Sequence, residues 1–338
     1  VVSAFTNGPL GTGVLTVAAN GAFLQADATA RTLNNDFAFG AGVSNLAFRG
    51  TGSLTLNGAT SLTNNTTFTV ETPQGILTLN GVIAESSAGL SLTKEGLGTL
   101  ILGHNNTFTG GVTVNAGTLA LAGLNVGSTA PVFAGLNATI GDGGLLSLLN
   151  NGTSSNGLIS FANNIVVSAG LSAANLHVGN NGGNFGNTIE VPSLTLDGGQ
   201  ILNVSSQNGY NLRLLNVVSV GTGAPQINVN SGARVIVFGY TPGFQPINVG
   251  QGELVFPDLV TIGATTNLNS GAPVTLTGSY PLGVQNAVLT GAQMTSFDSR
   301  RYQQRRLRWS LAGDGGAVTI FVTIAAVGLL ALAGLVVD

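Results

Sequence analysis

The chain of 338 residues has no cysteine, one methionine, one tryptophan and only 7% charged residues. Without cysteine there is no disulfide scaffold, no thiolate metal site and no cysteine nucleophile. Soluble domains carry roughly 25% charged residues, so the shortage of charge excludes most surfaces built on ion pairs. It also removes most candidates for acid–base chemistry. Residues 1–299 hold five basic residues (Arg31, Arg49, Lys94, Arg213, Arg234) against eleven acidic ones, with no basic stripe to neutralise phosphates. No nucleic-acid partner is expected. Proline is also scarce, at 10 residues, while glycine is abundant, at 51. Disordered chains are poor in apolar residues, and this one is 43% hydrophobic. Low charge with many Gly, Asn, Thr, Leu and Val residues predicts short strands joined by turns.

A repeat of about twenty residues organises those strands. Gly52-Ser-Leu-Thr-Leu-Asn-Gly58, Gly75-Ile-Leu-Thr-Leu-Asn-Gly81, Gly98-Thr-Leu-Ile-Leu-Gly-His104 and Gly117-Thr-Leu-Ala-Leu-Ala-Gly123 start 23, 23 and 19 residues apart. Looser echoes are Gly13-Val-Leu-Thr-Val17 and Ser193-Leu-Thr-Leu-Asp-Gly198. Apolar residues alternate with Thr, Ser, Ile or Ala, the period of a strand with one face buried. Between them stand Asn- and Gly-rich turns such as Asn34-Asn35-Asp36, Asn105-Asn106 and Asn180-Asn181-Gly182-Gly183.

A single coil of this kind cannot bury its Leu, Val and Ile side chains; a stack of coils does so as continuous ladders. The predicted fold is therefore all-β: a right-handed parallel β-helix over residues 1–290, its Asn corners stacking like its apolar rows. With coils of roughly 20–23 residues and about 4.8 Å per rung, about 13–15 rungs are expected.

Residues 92–121, reading Leu-Thr-Lys-Glu-Gly-Leu-Gly-Thr-Leu-Ile-Leu-Gly-His-Asn-Asn-Thr-Phe-Thr-Gly-Gly-Val-Thr-Val-Asn-Ala-Gly-Thr-Leu-Ala-Leu, closely resemble the passenger-associated repeat of autotransporter-type surface proteins. Phe108 stands where the family pattern has Tyr, and diluted versions extend over 13–290. The resemblance implies a parallel β-helix, export, and a place on the cell surface or in the matrix around it. It implies no chemistry, because the repeat serves as a spacer in diverse proteins. Nothing after residue 260 is long enough to form the β-barrel that ends an autotransporter.

Enzyme chemistry is poorly provided for, and no catalytic, cofactor-binding or metal site is predicted. Hydrolases cleaving glycans need clustered carboxylates, and those here are scattered: Asp27, Asp36, Glu71, Glu85, Glu95, Asp142, Glu190, Asp197, Glu253 and Asp258. Glu190 and Asp197 are the one pair that could meet across adjacent strands. His104 and His177 lie far apart in sequence without a carboxylate or Ser nearby. Lys94 is read as a solvated corner residue. Gly141-Asp142-Gly143-Gly144 is neither a phosphate loop nor a calcium-binding repeat. Phe238, Tyr240, Phe244 and Tyr280 gather near a Pro/Gly-containing loop and form a candidate contact surface for a partner subunit or a glycan.

The tail differs in kind. An Arg-rich linker, 291–316, carries Arg300, Arg301, Arg305, Arg306 and Arg308 and precedes an uncharged run, 317–337, long enough for a membrane-spanning helix. Residues 300–338 resemble the N-terminal hydrophobic segment of TadE/TadG-like pilus-assembly proteins. The flanking arginines would place the solenoid in the cytoplasm, against the first resemblance. Three readings stay open: a membrane anchor, a helix packing between subunits, or an unrelated stretch. The expected role is a non-catalytic extracellular or surface protein, an adhesin, spacer or coat. Its expected partners are copies of itself, other surface proteins or surface glycans. The alternatives are a subunit of a self-assembling fibre and a β-helix that binds or cleaves glycans.

Overall fold

The computed structural model describes residues 10–239, except 27, 124–136, 142, 171–172, 198, 222–224 and 231, and beyond 239 the backbone of the strands together with the Val255 side chain. The backbone winds into a parallel β-solenoid of about nine turns. Each early turn lays down three strands in order. Leu15–Val17, Phe37–Phe39, Thr60–Leu62 and Ile83–Glu85 form a first face of four strands. A second face of ten runs from Phe23–Leu24 to Tyr240–Thr241, and a third face of ten from Arg31–Leu33 to Asn248–Val249. The first face stops at Ile83–Glu85. Its place in the turn is taken up again by a six-stranded sheet that starts at Leu158–Ser160 and ends at Val274–Leu276.

The alternation read in the sequence drives this arrangement. The four heptads supply four consecutive strands of the third face, Ser53–Leu56, Ile76–Leu79, Thr99–Leu102 and Gly117–Leu121. Their inward residues stack in register. Leu54, Leu77, Leu100, Leu119, Leu146, Leu176, Val204 and Val229 form one unbroken row, each 4% exposed or less. Leu33, Leu56, Leu79, Leu102, Leu121, Leu148 and Val178 form a second. The looser echoes lie on other faces, Leu15–Val17 on the first and Leu194–Asp197 on the second.

Turn length departs from expectation. Along the first inward row the steps are 23, 23, 19, 27, 30, 28 and 25 residues. The number of rungs is therefore smaller than 13–15. The added residues sit in corners, notably 150–157 and 180–187, and leave the strand pairing intact. A solenoid tolerates this because loop length costs little once both ends are fixed.

Farther along, Thr266–Asn269, Ala287–Thr290 and Leu307–Gly313 pair in parallel, and Gly316–Val322 pairs antiparallel with Leu307–Gly313. The hydrophobic helix expected over 317–337 falls, past residue 322, outside the described residues. Among the described residues no helix is long and apolar enough to cross a membrane.

Candidate functional site

The faces of the solenoid are its candidate site, and parts of their outward rows are uncharged and polar. On the second face Thr67, Thr93, Thr113 and Thr139 are consecutive partners in one outward row. At a corner, Asn57 donates from Nδ2 to Asn34 Oδ1 (2.8 Å) and Asn80 donates to Asn57 Oδ1 (3.1 Å). On the third face Asn203 donates to Asn175 (3.2 Å) and Asn228 to Asn203 (3.0 Å). An amide carries both donors and an acceptor, so a row of Asn satisfies itself turn after turn.

The sequence reading of Lys94 as a solvated corner is overturned. Its strand, Leu92–Glu95, alternates inward and outward, and Lys94 shares the inward parity of Leu92. It interrupts the apolar row Leu46, Phe68, Lys94, Val114, Ile140 on the second face and is 0% exposed. The ammonium donates to the carbonyls of Glu95 (2.8 Å), Gly96 (2.7 Å) and Ala116 (3.0 Å), one bond for each of its three protons. Two acceptors belong to its own turn and the third to the next. Burial lowers its pKa to about 8, against an opposing pull from the nearby Glu95 carboxylate. The parity of Leu92-Thr93-Lys94 carried this signal; the usual preference of lysine for water hid it.

A second buried polar centre, missed in the sequence, lies at the Asn-rich corner. Tyr210 is 0% exposed; its hydroxyl donates to the Asn150 carbonyl (2.9 Å) and accepts from Asn187 Nδ2 (3.0 Å). Asn187 in turn accepts from the Gly157 N–H (2.6 Å), while Asn150 Nδ2 donates to the Gly123 carbonyl (2.8 Å). Burial raises the Tyr210 pKa, the Asn187 bond opposing it. Tyr210→Phe leaves a buried donor and acceptor without partners, so it is expected to lose about 1–3 kcal/mol in denaturant unfolding. An unchanged midpoint would show that the hydroxyl does not hold this corner.

Glu190 and Asp197 do not form a pair, because they lie in different sheets: Thr188–Val191 in the six-stranded sheet and Leu194–Asp197 on the second face. Glu190 instead meets Arg213, Oε2 to Nε 3.0 Å, as an ion pair without hydrogen-bond alignment, and accepts from Ser160 Oγ (3.0 Å). The Arg213 guanidinium sits 4.0 Å from the centre of the Phe238 ring. Phe238, Arg213, Arg234, Thr188, Ile236 and Leu158 line a shallow cleft of about 370 Å³. The side chains of Tyr240, Phe244 and Tyr280 lie outside the described residues, as do Asp27 and Asp142 and the side chains of Glu253 and Asp258.

Other carboxylates are held by their neighbours. Glu71 pairs with Arg49 (2.8 Å), Glu95 accepts from Asn115 (2.7 Å), and Asp36 accepts from the Ala59 N–H (2.9 Å). Glu85 accepts from Thr109 (2.7 Å) and the Leu90 N–H (2.9 Å). The histidines are separate. His104 Nδ1 faces the Asn105 carbonyl (3.0 Å). His177, against the expectation that no Ser lies near it, has Ser205 Oγ 3.0 Å from Nδ1, brought there by the pairing of adjacent turns. Partial burial lowers the His177 pKa. Among the described residues no three His, Asp or Glu side chains gather as metal ligands would.

No curated protein and no solved structure shows a significant similarity to the chain. The TadE/TadG-like resemblance of residues 300–338 finds no support. A protein-family model does match, that of the passenger-associated-transport-repeat, over residues 92–121. Those residues make two consecutive turns in the middle of the stack, with strands Leu92–Glu95 and Val112–Val114 on the second face and Thr99–Leu102 and Gly117–Leu121 on the third. Residues 92–121 are thus similar to a passenger-associated transport repeat, and they form two turns of a parallel β-solenoid.

Proposed function

We propose that the chain is a non-catalytic rod that acts as an adhesin, spacer or coat at the cell surface. The observation that carries this reading is the matched repeat at the centre of a stack that carries outward runs of Thr and Asn. Such rows present hydroxyl and amide groups at the strand spacing of about 4.8 Å, a surface suited to contact along its length. The non-catalytic part rests on the carboxylates, since Glu71, Glu85, Glu95 and Glu190 are each engaged by a neighbouring side chain. The rod is held at the surface through residues 317–337 or through contact with copies of itself, and its faces meet surface glycans or other surface proteins.

The test is protease shaving of intact producing cells, followed by an attachment assay with and without the protein. Cleavage on intact cells and loss of attachment or of matrix integrity in the deletion strain are expected. A chain that is cut only after lysis overturns the surface role. Release of reducing sugar from polysaccharide by the purified protein, abolished in Glu190→Gln, would establish the enzymatic alternative instead.

A further inference from the structure

The Asn corners carry a chemical liability. Asn followed by Gly is the pair most prone to spontaneous deamidation, because no side chain shields the glycine amide. The Gly nitrogen attacks the Asn side-chain carbonyl carbon and ammonia leaves. Water then opens the cyclic imide to Asp or isoaspartate. Seven such pairs lie among the described residues, beginning at Asn20, Asn57, Asn80, Asn151, Asn156, Asn181 and Asn208.

Hydrogen bonds hold six of them. Asn20 Oδ1 accepts from the Ser44 N–H (2.8 Å), and the Gly21 N–H is spent on Asn45 (2.9 Å). Asn57 is tied on both sides within its row, to Asn34 and Asn80. Asn80 donates to Asn57, and its Oδ1 lies against the backbone of Gly103. Asn151 accepts from the Asn184 N–H (2.8 Å), and the Gly152 N–H is given to Asn150 (3.0 Å). At Asn156 the nucleophile itself is taken, the Gly157 N–H donating to Asn187 (2.6 Å). Asn208 donates to Asn180 (2.7 Å). Asn181 differs. It is exposed in the 180–187 corner, and among the described residues neither its side chain nor the Gly182 N–H has a hydrogen-bond partner.

We propose that Asn181 is the site of spontaneous deamidation in the folded rod, and that hydrogen bonds at the corners, the stacked amide row among them, protect the other six Asn-Gly pairs. Reaching the attack geometry at Asn57 breaks two side-chain bonds, each worth about 1 kcal/mol net, so the row slows the reaction by more than about tenfold. Conversion at Asn181 adds a carboxylate to one corner and leaves the amide rows intact.

The full chain is incubated at neutral pH and physiological temperature, beside a sample held unfolded in denaturant, and both are followed by peptide mapping in a mass spectrometer. In the folded protein the Asn181 peptide is expected to gain the mass of an amide-to-acid change more than about tenfold faster than that of Asn57, and about fivefold faster than those of Asn80 and Asn208. In the unfolded sample all four convert at comparable rates. The proposal is overturned if Asn57 or Asn80 keeps pace with Asn181 in the folded protein. It is overturned equally if Asn181 stays intact there while the unfolded sample is consumed.

Discussion

Gly81→Ala is expected to cost about 3 kcal/mol or more, enough to unravel the early turns. A Cβ on Gly81 would stand 2.0 Å from the Gly58 carbonyl oxygen and 2.4 Å from its carbon. One turn earlier, a Cβ on Gly58 would meet the Asn35 oxygen at 2.2 Å. Both glycines follow an Asn of the stacked row, and the row sets the spacing of the corners. The obstacle is backbone, locked above and below by strand pairing, so no side chain can swing aside. Gly13→Ala is the matched control, since nothing lies within 4 Å of its Cβ and no positive φ requires glycine. It should be neutral or slightly stabilising. Denaturant unfolding of the two variants decides the matter; equal midpoints would mean that the corners are free to separate.

Lys94→Met should rank next. It deletes three charge-assisted bonds to Glu95, Gly96 and Ala116, each worth about 1.5–3 kcal/mol. It also removes the desolvation cost expressed in the fall of the Lys94 pKa from 10.5 to about 8, about 3 kcal/mol. The lowered pKa means that desolvation exceeds what the bonds return to the charged form. The loss in the variant therefore comes from the three carbonyls left without a donor, and about 2 kcal/mol or more is expected at neutral pH. The sign of the pH effect follows from the lowered value. Between about 8 and 10.5 the unfolded chain binds the proton and the folded one does not, so native stability rises with pH across that window. From about pH 7 to about pH 9.5 the wild-type protein should gain about 2 kcal/mol that the Met variant lacks. Stability curves that run parallel over that range would show that the amine is not buried in its charged form.

Both variants fall at positions the sequence half disclosed. The heptads announced the strands, and their equal phase announced that they would share a face, because Leu54, Leu77, Leu100 and Leu119 occupy the same place in each. The Asn that closes the strand in the first two heptads likewise foretold the stacked row. What stayed hidden was set by contacts between distant residues. Tyr210 reaches back sixty residues to Asn150, and no local pattern encodes that. Turn length was hidden because corners such as 150–157 lengthen without disturbing strand phase. Lys94 was legible by parity and misread by chemistry: a lysine inside an apolar row is expected only where main-chain oxygens converge on it.

The steps between successive turns have a mechanical meaning. Inter-strand bonds of a parallel stack point along the axis of the rod, so tension on its ends opens them one pair after another instead of shearing a whole sheet at once. Each turn that lets go gives up a rise of about 4.8 Å and pays out its chain. A turn of 23 residues, like those joining Leu54, Leu77 and Leu100, yields about 80 Å when extended. The early turns would release slack in nearly equal parcels, and the later ones, of up to 30 residues, in longer ones. A stack built this way lengthens stepwise under tension instead of giving way all at once.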